Sequence, residues 1–124
     1  MNRLLTLTAL IETATGLALM GMPSVVVRLL FGAEISGASI PLGRVAGCSL
    51  LSLGIACCPP RDPVGKRVSA LVAMLTYNLL VTLYLLYVGL GAEWVGTLLW
   101  PAVVLHGILS LLLARQWRQG DKGQ

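Results

Sequence analysis

Charge is scarce in this 124-residue chain, with five acidic and nine basic residues making up 11% of the total, against about 25% in an average soluble domain. So small a domain has much surface for its volume, and so few charges cannot cover it. A disordered chain is excluded too, because disorder goes with low hydrophobicity and high net charge. There is a single histidine, so a bis-histidine haem site cannot be built. The three cysteines, Cys48, Cys57 and Cys58, fit no zinc pattern. Neighbours such as Cys57 and Cys58 bridge only with strain. All three are read as free thiols, and a disulfide-stapled secreted module is excluded. Recognisable chemistry is also missing. No nucleophile and base form a set, and there is no carboxylate pair, metal-ligand cluster or phosphate loop. The sequence therefore predicts no catalytic residues, no metal, no cofactor and no enzyme.

What the chain has is apolar matter: 56% of residues are hydrophobic and the mean hydropathy is +0.85. A bilayer-spanning helix needs about 20 mostly apolar residues. Four such runs stand out, at about 4–22, 40–58, 68–90 and 95–114. Pro59-Pro60 closes the second, and Arg115-Gln116-Trp117-Arg118 closes the fourth. Proline after a helix is a hard stop. Arg3 followed by an apolar run imitates a signal peptide, but Glu12 interrupts the run and no small-x-small cleavage site follows. A retained first helix is expected. Between spans one and two, Pro23 and Gly32 bracket a short helix at about 24–31, placed by its length in the membrane interface, apolar side down. Pro101 is expected to kink span four. The polar tail 119–124 is expected to fray. The predicted architecture is an all-α integral membrane four-helix bundle, one domain over 1–124, with one short interfacial helix.

A net charge of +4 would suggest nucleic acid in a soluble protein. Here the basic residues form no stripe, no nucleic-acid partner is expected, and they read as topology signals. Arg3, Arg61, Lys66, Arg67, Arg115, Arg118 and Lys122 fall on one side of the four spans and only Arg28 on the other. The positive-inside rule then puts both termini in the cytoplasm.

Ionisable residues inside a membrane are costly and therefore informative. Span one carries Glu12, span two Arg44 and span four His106, while span three contributes Tyr77 and Asn78. Thr15 shares a helical side with Glu12. These six residues are expected to form an intramembrane polar centre. Glu12 and Arg44 are expected to pair, directly or through one intermediary such as Thr15, Tyr77 or a water, since pairing is the cheapest way to keep two charges in lipid. Gly16 on span one and Gly43, Gly47 and Gly54 on span two are expected to let helices approach closely.

Glu12 in the first of four spans is similar, in architecture alone, to the small multidrug resistance transporters. Those proteins are also short and use a membrane-embedded glutamate in their first helix. Arg44 and the missing aromatic pattern depart from them. The run Arg28-Leu29-Leu30-Phe31-Gly32-Ala33-Glu34, then Gly43-Arg44-Val45-Ala46-Gly47 and Leu53-Gly54-Ile55-Ala56-Cys57, resembles small uncharacterised bacterial inner-membrane proteins. With Tyr77-Asn78, Trp100-Pro101 and His106 the resemblance reaches nearly the whole chain. It implies the bacterial cytoplasmic membrane and carries no assigned activity.

Three functions are compatible with such a chain. Its minimal loops favour an accessory or assembly subunit of a larger membrane complex, whose partners are the lipid bilayer and a membrane protein or a second copy. A buried Glu12 would suit a small proton-coupled transporter. Tyr77, Asn78 and His106 would suit binding of a quinone- or lipid-like molecule. An apolar slot reaching His106 is the observation that separates the third from the others.

Overall fold

The computed structural model describes residues 2–58 and 64–121, with the side chains of 2, 64–67 and 121 left aside. The Pro59-Pro60 stop, Arg61 and the last three residues of the tail lie outside it. Among the described residues every regular element is a helix: α1 (Asn2–Gly21), α2 (Pro23–Phe31), α3 (Ser39–Ala56), α4 (Val64–Gly91) and α5 (Leu99–Asp121). Four of them are long and apolar enough to cross a membrane: Arg3–Gly21, Ser39–Ala56, Val68–Gly91 and Leu99–Gly120.

The helices associate as two antiparallel pairs, α1 with α3 and α4 with α5. Glycine sets the first pair. A Cβ on Gly47 would stand 2.7 Å from the Met20 nitrogen and 2.8 Å from the Gly16 carbonyl oxygen. One on Gly16 would stand 2.6 Å from the Leu51 nitrogen. Gly54 lies against Ala9 and Thr13 in the same way. Backbone therefore meets backbone along the whole seam, which only residues without side chains permit.

The two pairs close on each other at one end. Leu5 and Ala9 of α1, Cys57, Ala70, Leu71 and Met74 of α4, and Leu113 of α5 form a buried cluster there. At the other end the pairs diverge, and α2 lies across the gap. Pro23 occupies the first turn of α2, where its missing N–H costs no bond. Gly32 caps the other end at φ 68°, its N–H donating to the Arg28 carbonyl at 2.9 Å. The chain returns past this cap before α5. Gly96 N–H donates to the Leu30 carbonyl at 2.9 Å and Leu98 N–H to the Leu29 carbonyl at 2.8 Å. These two bonds hold the end of α2 to the start of α5.

Three sequence expectations shift here. The fourth long helix starts at Leu99 rather than near Val95, because residues 96 and 98 bond α2 instead of a helical ladder. Pro101 consequently falls in the first turn of α5, where proline is tolerated, and needs no kink. At the far end α5 continues through Asp121, past the start of the expected frayed tail. Arg28 of α2 reaches outward, with its Nη1 3.4 Å from Glu34 Oε1 and both side chains exposed; a pair of this kind contributes about 0–1 kcal/mol.

Candidate functional site

Most hydroxyls in the long helices turn back on their own backbone. Thr8, Thr13, Thr15, Ser49, Ser52, Thr82 and Ser110 each donate to the carbonyl one turn earlier, at 2.7–3.1 Å. Such a bond satisfies a helix hydroxyl within its own backbone. Four polar side chains come together across the helices: Glu12 of α1, Tyr77 and Asn78 of α4, and His106 of α5.

Asn78 is fully buried and its orientation is set by its neighbours. Its Nδ2 donates to the Met74 carbonyl at 2.9 Å. Its Oδ1 is then the acceptor facing α5, where it lies 2.8 Å from His106 Nδ1. Antiparallel pairing of α4 and α5 brings these two midpoints level. Glu12, also fully buried, approaches from α1 with Oε1 3.8 Å from the same His106 nitrogen. Neither carboxyl oxygen has a hydrogen-bond partner among the described residues. The Tyr77 hydroxyl faces this carboxyl without reaching hydrogen-bond geometry. The Tyr77 ring meets the imidazole edge-on, with centroids 6.1 Å apart and an interplanar angle of 79°. No group of three potential metal ligands occurs among the described residues.

This polar layer is a boundary. On one side lies the buried cluster of Leu5, Ala9, Met74 and Leu113. On the other a cleft of about 670 Å³ opens between the diverging helix pairs. Its walls are apolar side chains from all five helices, among them Ile11, Val26, Leu30, Ala46, Val81 and Ala102. Tyr77 and His106 reach it from the polar layer, and α2 forms its far wall. A smaller hollow of about 310 Å³ continues past Tyr77 beside Ser49 and Leu53.

The structure brings together Glu12, Tyr77, Asn78 and His106. Arg44 is not with them: it is exposed, and the charged-pair geometry at Glu12 is to His106 instead. The expected Glu12–Arg44 pair fails on register. Gly43 meets Pro23 and Gly47 meets Met20, whereas the level of Glu12 on α3 is that of Gly54, which meets Ala9 and Thr13. Ten residues of helix separate Arg44 from that level, about 15 Å. Thr15 lines the cleft, but its hydroxyl is bonded to the Ile11 carbonyl at 2.8 Å and bridges nothing. Gly16, Gly47 and Gly54 are buried in the α1–α3 seam, and Gly43 lies against α2 at the cleft wall. Residues not singled out from sequence are the apolar walls. Val26 and Leu30 of α2 face the cleft, although that helix was expected to turn its apolar side to lipid.

Comparison with known proteins gives no match: no protein-family model fits the chain, and neither a curated protein nor a solved structure matches it.

Proposed function

We propose that this chain is a small, non-enzymatic, multi-pass protein of the bacterial cytoplasmic membrane that holds an apolar, quinone- or lipid-like molecule between its two helix pairs. The observation that carries this reading is the cleft of about 670 Å³, apolar on almost every wall, ending on Tyr77 and His106. Its size falls within the roughly 300–1,000 Å³ of small-molecule sites, and one apolar body with few polar groups is their usual chemistry.

Insertion in a bilayer is supported by the outward faces. Leu10, Leu42, Leu80 and Leu111, one on each long helix, are 57%, 68%, 61% and 66% exposed. Apolar surface this continuous belongs in lipid. The short α2 then lies near one interface, with Arg28 toward water. A bias of seven basic residues against one supports a cytoplasmic side for both termini. Single cysteines near Glu34 and Glu93, in a background without native cysteines, should be labelled by an impermeant thiol reagent from outside. Labelling from outside at Asp62 would reverse the orientation.

The ligand reading is tested with 4-decylphenol, an apolar chain ending in one polar group. In nanodiscs it should bind the protein saturably. Ala102→Phe, which puts a ring into the cleft, should weaken binding at least tenfold, about 1.4 kcal/mol or more, while the melting temperature is kept. Equal affinity of the two proteins would remove the cleft from the function.

A further inference from the structure

We infer that the molecule in this cleft presents a hydroxyl donor, as a phenol, hydroquinone or alcohol does, and that His106 Nε2 is the atom that receives it. This rests on the ligand-binding reading above and adds the chemistry of the ligand's polar end.

The reasoning is a donor and acceptor count. Asn78 is fixed by the bond from Nδ2 to the Met74 carbonyl, so Oδ1 can only accept. The bond of 2.8 Å to His106 Nδ1 therefore requires the proton on Nδ1. A neutral imidazole with its proton there has a bare acceptor at Nε2. The doubly protonated ring is disfavoured by geometry. A buried ion pair holds only when its atoms are also hydrogen-bonded, and the Glu12 carboxyl stops 3.8 Å away with neither oxygen bonded. Nδ1 is committed to Asn78, and the ring lines the cleft, so Nε2 is the nitrogen left for a ligand.

The two hydroxyls that also line the cleft are directed elsewhere: that of Thr15 donates to its own helix, and that of Tyr77 interacts with the Glu12 carboxyl. His106 Nε2 is thus the acceptor at this end that they leave to a ligand. A buried acceptor left unpaired is costly. A ligand bringing a hydroxyl relieves it, whereas an ether or an alkane of the same shape leaves it unmet. The remaining wall is apolar and suits a hydrocarbon chain or ring of a few hundred cubic ångströms.

The chain's one histidine makes the test direct. In protein labelled with 15N-histidine and embedded in nanodiscs, the imidazole should show the protonated nitrogen at Nδ1 and the bare one at Nε2. Titration with 4-decylphenol should move the Nε2 resonance toward a hydrogen-bonded value, and 4-decylanisole, its methyl ether, should not move it. The phenol should bind about tenfold more tightly than the ether, the worth of one buried hydrogen bond. His106→Phe should bring the two affinities within about twofold by weakening the phenol alone. A proton on Nε2, or an imidazolium, would overturn the inference without any ligand being added. Equal affinity of phenol and ether in the wild-type protein would overturn it and leave the ligand-binding reading standing. Saturable binding of neither probe would overturn both.

Discussion

Gly47→Leu should destabilise the protein in detergent by about 3 kcal/mol or more and lower its melting temperature by roughly 10 °C. A buried leucine usually stabilises a helical protein. Here its first carbon would already stand 2.7 Å from the Met20 nitrogen and 2.8 Å from the Gly16 carbonyl. Both are backbone atoms and cannot rotate aside, so α1 and α3 must separate. Separation also withdraws Gly16 from Leu51 and Gly54 from Ala9 and Thr13, because one rigid seam carries all three contacts. Gly21→Leu is the matched control: nothing lies within 4 Å of a Cβ there, and its effect should stay within about 0.5 kcal/mol. Thermal unfolding followed by circular dichroism decides it. Equal melting temperatures for the two variants would mean that the α1–α3 seam is not what holds these helices.

That seam also explains what could and could not be read from the sequence. The four long helices were legible because each is a long, mostly apolar run, and the helix starting at Pro23 because proline and glycine bracket it. The glycines announced close packing, but not the register it imposes. Glu12 and Arg44 look like partners when each span is measured from its own end. Contact of Gly47 with Met20 and of Gly54 with Thr13 slides Arg44 a full ten residues away from the level of Glu12. Tyr77, Asn78 and His106 were legible as residues that need company. Their meeting depends on the antiparallel register of α4 with α5, which no local pattern encodes. The cleft was not legible at all. It is space left where two helix pairs diverge, and its walls are ordinary alanines, valines and leucines. The start of α5 was misread because Val95-Gly96-Thr97-Leu98 is apolar enough to join the span, yet its amides bond the end of α2.

Asn78→Leu and His106→Leu should each destabilise the protein by about 2–3 kcal/mol, and the double variant should lose less than their sum by about 1–1.5 kcal/mol. The bond between the two side chains is short, 2.8 Å, and Asn78 is fully buried. Removing Asn78 strands the proton of His106 Nδ1 in an apolar interior. Removing His106 strands Asn78 Oδ1. Removing both leaves neither, and two leucines of similar bulk can pack between Glu12 and the cleft. Interhelical hydrogen bonds in membrane proteins average only about 0.6 kcal/mol and reach about 1.7. This pair belongs near the upper end because of how Asn78 is held. The Met74 carbonyl already fixes Asn78 in the accepting orientation, so little side-chain freedom is lost in forming the bond. The Glu12 carboxyl, 3.8 Å from Nδ1 on the third side, is the acceptor a stranded imidazole would turn to, which keeps the expected coupling below the limit of about 1.7 kcal/mol. Unfolding of the four proteins in the same detergent gives the coupling directly. A coupling within about 0.3 kcal/mol of zero would mean that the two side chains are satisfied separately. The proton on His106 would then not be held at Nδ1 by Asn78, and the bare Nε2 facing the cleft would lose its structural basis.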